Sequence, residues 1–257
     1  MPLTLHHVSH RYQQLTVLEL DLTVARGEHL SLLGPSGCGK STLLRLLAGL
    51  EAPSQGEILL DGEPVRAGDP RLGIMFQDPL LYPWLTVARN IGYPLTLAAN
   101  RGLPRGRVSE LLAKVGLQAF AHSYPPQLSG GMAQRAALAR AIVRHPDYLL
   151  LDEPFAALDA VTRMRLQSWL EALAHSEELT LVTVTHDVDE ALLLGDRVAL
   201  MAPAPGRLAR SWKVGLPRPR DRTDARLLAL RSEILTALYT VMGDTGGDNY
   251  VSQAMAA

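Results

Sequence analysis

The run Gly34-Pro35-Ser36-Gly37-Cys38-Gly39-Lys40-Ser41-Thr42 fits the spacing G-x-x-x-x-G-K-[ST]. The chemistry of such a run is phosphate binding. Glycines let successive backbone N–H groups turn inward around phosphate oxygens, and a helix starting there adds partial positive charge. Lys40 can reach the β- and γ-phosphates of a nucleotide, and the Ser41 hydroxyl can ligate Mg²⁺. Cys38 fills a free position and is expected to pack as a small residue beside the phosphates. A helix N-terminus also lowers a thiol pKa, which would leave Cys38 open to thiol reagents that block the pocket.

A second constellation lies downstream, where the apolar run Tyr148–Leu151 ends in Asp152-Glu153-Pro154. Side chains alternate along a strand, so the two neighbouring acids need not share one job. Asp152 would hold Mg²⁺, directly or through water. Glu153 would then sit beside the γ-phosphate and polarise the attacking water. On their own, two acids at a strand end are as often solvated turn residues; the phosphate loop upstream favours the chemical reading. Between the two motifs, Leu128-Ser129-Gly130-Gly131-Met132-Ala133-Gln134-Arg135 opens a helix. Ser129 is its expected N-cap, and the glycines expose backbone donors, which makes a second anion site. His6, His7 and His10 have no Cys or carboxylate cluster around them. With His6 and His7 expected on opposite strand faces, no metal site is expected there.

Short strands and amphipathic helices must hold these groups. Strands are expected at Leu3–Val8, Val17–Val24, His29–Leu33, Gln55–Leu60 and Leu72–Phe76, with a helix after the phosphate loop. From about Leu80 to His122 the pattern turns helical with Pro and Gly breaks, as in Thr86–Ile91 and Arg107–Val115. Then come helix Gly131–Arg144, strand Tyr148–Leu151, helix Ala160–Ala174, strand Leu179–Val184, helix Val188–Leu194 and strand Arg197–Met201. Arg207–Val214 adds a strand and Leu227–Met242 a closing helix. Such alternation predicts an α/β fold with a buried, mostly parallel sheet and helices on both faces.

The composition fits one such core. The chain has 257 residues, 47% hydrophobic and 20% charged, with a formal net charge of −1. No overall basic field is present to recruit nucleic acid. A single cysteine excludes an internal disulfide and a multi-cysteine zinc site. No run approaches the ~20 apolar residues of a membrane span, and the start lacks the basic and apolar segments of a secretory leader. A cytosolic protein is expected.

The phosphate loop, then L-S-G-G-x at a helix start, then an apolar strand ending in Asp-Glu-Pro, resembles the ATP-binding cassette ATPases. The resemblance covers roughly Leu3 to Arg222. It implies a P-loop NTPase core of mostly parallel sheet flanked by helices, with an N-terminal β subdomain. A single domain over 1–242 is expected, with a helical signature subdomain at about 80–145 inserted in the core, and a disordered tail at 243–257. The resemblance also assigns further residues. Tyr12 matches the aromatic that stacks on adenine, and Gln77 the glutamine that contacts Mg²⁺ and the lytic water. Ala157-Leu158-Asp159 looks like the D-loop, and His186 like the switch histidine that contacts the γ-phosphate. In this family two domains sandwich ATP head to tail, so Ser129, Gly130, Gly131 and Asp159 are expected to meet the nucleotide of a partner copy. One cassette per chain then implies a homodimer.

Met132 replaces the usual glutamine of the signature and cannot donate a side-chain hydrogen bond. Leu-Ser-Gly-Gly-Met is nevertheless usual in the nitrate/sulfonate/taurine-type importer ATPases. The segments Phe76-Gln77-Asp78-Pro79-Leu80-Leu81-Tyr82-Pro83-Trp84-Leu85-Thr86-Val87, Asp152–Ala160, Ala202–Arg207 and Leu216-Pro217-Arg218-Pro219-Arg220 look like that branch as well. The branch implies uptake of a small anionic solute, with transmembrane permease subunits and, indirectly, a solute-binding protein as partners. It also implies a place on the cytoplasmic face of the plasma membrane. Leu80, Leu81, Tyr82 and Trp84 would be either the insertion's own core or a groove for a short permease helix; the resemblance favours the groove. A pyrimidine-precursor importer, a soluble cassette ATPase acting on nucleic acid or the ribosome, and a P-loop kinase are the rival readings.

Overall fold

The computed structural model describes residues 2–13, 15–97, 106–203 and 205–243. Two sheets are built from ten strands: β1 (Leu3–Tyr12), β2 (Leu15–Val24), β3 (His29–Leu33), β4 (Gln55–Leu60), β5 (Glu63–Pro64), β6 (Leu72–Met75), β7 (Tyr148–Asp152), β8 (Thr180–Thr185), β9 (Arg197–Ala202) and β10 (Arg207–Lys213). The helices are α1 (Lys40–Leu47), α2 (Val87–Gly92), α3 (Gly106–Lys114), α4 (Gly130–Ile142), α5 (Ala160–Ser176), α6 (Val188–Leu194) and α7 (Ala225–Gly243). The larger sheet runs β10-β9-β3-β8-β7-β6 and is parallel except for its antiparallel edge strand β10. The smaller, antiparallel sheet runs β2-β1-β4-β5.

Alternation along the central strands divides the core. Tyr148 and Leu150 of β7, with Val182 and Val184 of β8, face α1 and the antiparallel sheet. Leu149 and Leu151 of β7, with Leu181 of β8, face α4 and α5 on the other side. Period-two burial on both faces is what a parallel sheet covered by helices requires. Towards the β10 edge, Leu33, Val198 and Leu200 pack against α6 and α7. Between β6 and β7 the described chain is helical, with α2, α3, α4 and three-residue 3-10 turns at Gln118–Phe120 and Pro125–Gln127.

Several boundaries differ from the sequence reading. β1 continues to Tyr12 rather than stopping at Val8, and β2 begins at Leu15. The polar run Ser9-His10-Arg11 concealed the continuation, because pairing with β2 supplies what its composition does not. His6 and His7 do not alternate between core and solvent as a regular strand would have them. A bulge between Leu5 and Val8, with His7 at φ 49°, leaves both exposed. Gly243 ends α7 instead of opening a tail, and residues 244–257 lie outside the described residues.

Candidate functional site

The C-terminal ends of the parallel strands carry the reactive groups, as expected for an open α/β sheet. β3 leads into the phosphate loop, and Gly39 at φ 94° precedes the first turn of α1, a conformation open to glycine at no steric cost. Lys40 is buried at the start of α1, its ammonium donating to the carbonyls of Gly34 at 2.7 Å and Pro35 at 2.8 Å. Those bonds hold its charge inside the ring formed by Gly34, Pro35, Ser36, Gly37, Cys38 and Gly39. Thr42 is buried one turn into the helix.

The Cys38 thiol is fully buried. Burial pushes its pKa up, and the nearby Lys40 ammonium only partly opposes the shift. Cys38 thus packs as the small buried residue expected, and desolvation, outweighing the nearby Lys40 charge, works against the access to thiol reagents that the helix N-terminus suggested.

Asp152 and Glu153 separate as the strand geometry demands. Asp152, the last residue of β7, is 5% exposed. Burial is the largest cause of its raised pKa; the Ser41 hydroxyl opposes it, and the Glu153 charge adds to it. Glu153 turns the other way, with its backbone in the left-handed region at φ 46°. A non-glycine residue there is uncommon and costs energy that surrounding contacts must supply. Its backbone N–H is fixed by Val184 O at 2.9 Å.

Two residues from neighbouring strands close on the Glu153 carboxylate. Gln77, two residues past β6, donates its side-chain amide to Oε2 at 3.2 Å. His186, directly after β8, brings Nδ1 to 3.0 Å from Oε1. Gln77 and His186, far apart in sequence, thus meet on the Glu153 carboxylate, next to the buried Asp152.

The remaining predicted residues stand apart from this cluster. Ser129 is the N-cap of α4, its hydroxyl accepting from Met132 N–H at 3.3 Å. Gly130 and Gly131 lie against the D-loop, and a Cβ on Gly131 would come within 2.9 Å of Leu158. Asp159 caps α5 by accepting from Thr162 N–H at 3.0 Å, which also holds its carboxyl below the ordinary pKa. Among the described residues no hydrogen bond joins Ser129, Gly130, Gly131 or Asp159 to the phosphate loop of the same chain. Tyr12 ends β1 with 44% exposure, its hydroxyl donating to Glu51 at 2.6 Å.

Three positioning groups escaped the sequence reading. Buried Gln134 of α4 accepts from Ala157 N–H at 3.2 Å and so ties the signature helix to the D-loop. Arg140, also on α4, donates to Pro79 O at 2.7 Å and Leu80 O at 2.8 Å, just past Gln77. Asn90 is fully buried and bonds the backbone of Tyr82, Leu85 and Thr86. Within that segment Leu81 packs into the core, but Trp84 is 70% exposed and Leu80 59%. The insertion therefore uses only part of this apolar run for itself.

The sequence profile of the family described as ABC transporter matches residues 17–156. The aliphatic sulfonates import ATP-binding protein SsuB 2 of Burkholderia cenocepacia (strain HI2424) is 48% identical over 238 residues, 92% of this chain and 87% of that protein. SsuB 1 of Xanthomonas axonopodis pv. citri (strain 306) is 49% identical over 246 residues, 93% of this chain and 97% of that protein. Among solved structures, the dimeric post-hydrolysis state of the ATP-binding cassette MJ0796, bound to ADP and Pi, aligns with a TM-score of 0.76 and 33% identity. That alignment covers 84% of this chain and 100% of that one. A phosphate loop, a strand-end carboxylate pair and an L-S-G-G helix on one parallel sheet agree with these matches, and the chain belongs to the ABC transporter family.

Proposed function

We propose that this chain is the ATP-hydrolysing subunit of an importer and couples MgATP turnover to uptake of an aliphatic sulfonate. The observation that carries the chemistry is the sharing of the Glu153 carboxylate by Gln77 and His186, beside the buried Asp152. The names of the relatives support sulfonate as cargo over a pyrimidine precursor.

In this reading the phosphate loop from Gly34 to Thr42 and the Lys40 ammonium bind the phosphates of ATP, and Tyr12 stacks on its adenine. Ser41, Asp152 and the Gln77 side-chain oxygen would hold Mg²⁺. They fit it, being oxygen donors as a hard cation requires, and a cation relieves the buried Asp152 charge. When bound, the ion neutralises charge on the β- and γ-phosphate oxygens. Glu153 orients the attacking water and takes its proton. As the water oxygen bonds to the γ-phosphorus, the bond from that phosphorus to the ADP oxygen breaks. Gln77 fixes the carboxylate for this transfer. His186, engaged through Nδ1, keeps Nε2 for the γ-phosphate.

The separation of Ser129, Gly130, Gly131 and Asp159 from the phosphate loop of their own chain fits a second copy completing each site. The dimeric form of the similar cassette supports a homodimer. Trp84 and Leu80 offer apolar surface to a permease helix, and a solute-binding protein would deliver cargo to that permease. Among the described residues no helix is long and apolar enough to cross a membrane. The permease would therefore hold this subunit at the cytoplasmic face.

Proteoliposomes carrying the permease that co-purifies with this chain test the proposal. They are expected to accumulate labelled ethanesulfonate when MgATP is on the side of this chain. A chain that hydrolyses ATP but captures only nucleic acid or ribosomes would overturn the importer, and uptake of pyrimidine precursors alone would overturn the cargo.

A further inference from the structure

The run Leu216-Pro217-Arg218-Pro219-Arg220 has no part in the reaction above, yet both of its guanidiniums reach the C-terminal end of α6. A helix of seven residues leaves most of its terminal carbonyls without partners of its own. Gly195 N–H takes Ala191 O, and the two arginines take the others. Arg220 Nη1 donates to Leu192 O at 2.7 Å, Leu193 O at 2.9 Å and Gly195 O at 2.7 Å. Arg218 Nη2 donates to Leu194 O at 2.6 Å and to Asp196 Oδ1 at 2.8 Å. Its Nη1 reaches back to Glu171 of α5 at 3.0 Å, and Arg222 donates to Gln167 of α5 at 2.8 Å.

One exposed cation would suit the dipole of so short a helix. Here the Arg220 side chain is 2% exposed, and burial, with the Arg218 charge adding, lowers its pKa to about 10. Two guanidiniums held together at that cost over-determine where α6 ends. The other end of α6 is equally fixed. Asp187 caps it, accepting from Asp189 N–H at 2.8 Å and Glu190 N–H at 3.1 Å. His186 lies between that cap and the last residue of β8, so an axial shift of α6 moves the imidazole.

We propose that Arg218 and Arg220 are positioning residues for hydrolysis, fixing the axial register of α6 so that His186 stays against Glu153 and the γ-phosphate. Through Glu171 the same clamp joins α6 to α5, the helix capped by Asp159. The proposal rests on the reading of His186 as a γ-phosphate contact.

A double-mutant cycle with His186→Ala tests it. Arg218→Gln is expected to lower kcat about ten-fold or more, as small misplacements of reacting groups do. KM for ATP should stay within about two-fold, because the phosphate loop is untouched. Arg218→Lys should recover part of the loss. In the His186→Ala background, Arg218→Gln should have little further effect. Should Arg218→Gln not fold, Arg220→Lys, which keeps the charge but loses the planar fork, enters the same cycle. A fall in melting temperature with kcat unchanged, or losses that multiply fully in the double variant, would overturn the clamp alone. Wild-type turnover by His186→Ala would overturn the reading of His186 and the clamp with it.

Discussion

At Glu153 a left-handed backbone, a fixed N–H and two side-chain partners hold one carboxylate in a single orientation. Burial changes the protonation of a neighbouring carboxyl. Glu190, buried in the first turn of α6, has its pKa raised to about 8, first by burial and then by Asp187, with Arg163 opposing and Glu153 adding. A carboxyl that keeps its proton in the native state but loses it in the unfolded chain weakens the fold as pH rises between 4.5 and about 8. Denaturant melts at pH 5, 7 and 9 should show the wild type losing more stability over that window than Glu190→Gln; parallel curves would refute the assignment. Cys38 gives a second check at this scale. A thiol reagent should label the denatured chain fully while leaving the native protein and its ATPase activity untouched. Residues in contiguous motifs, such as Lys40 or Asp152, are legible in sequence because their chemistry is fixed by spacing. Gln134, Asn90 and Arg220 are not, since each takes its role from a backbone group that only the fold brings near.

The elements divide along the same line. Alternation of apolar strands with helices identified the parallel sheet and its order of strands and helices along the chain. It missed the continuation of β1 beyond its bulge, where cross-strand pairing rather than residue type decides. The segment after β6 shows how an element can present a surface it does not itself use. Asn90 shares its amide hydrogens among three carbonyls and accepts from Tyr82 N–H at 2.8 Å, while Arg140 holds Pro79 and Leu80 from α4. Tyr82 and Trp84 stand 5.4 Å apart on this frame. Asn90→Ala should cost about 2 kcal/mol by denaturant unfolding, the penalty for leaving buried carbonyls unpaired. Trp84→Ala should leave the ATPase activity of the isolated subunit within about two-fold while abolishing uptake in proteoliposomes. Equal loss of both activities would make Trp84 a folding residue.

For the whole molecule, the phosphate loop and the signature helix are parts of one sheet-based core that do not bond each other within the described chain. In the proposed reading each copy would offer half of two sites, and a head-to-tail pair would place Ser129 and the α4 N-terminus on a nucleotide held by the other copy. Within each copy, Gln134 ties α4 to the D-loop and the Arg218–Arg220 clamp ties α5 to α6, which in the proposed reading would link closure of the pair to formation of the Glu153 site. The most direct test is light scattering of Glu153→Gln with MgATP, read together with the nucleotide it retains. The account predicts twice the mass of one chain, with ATP bound unhydrolysed and phosphate release lowered at least about 100-fold. A monomer holding ATP, or phosphate release at the wild-type rate, would contradict it.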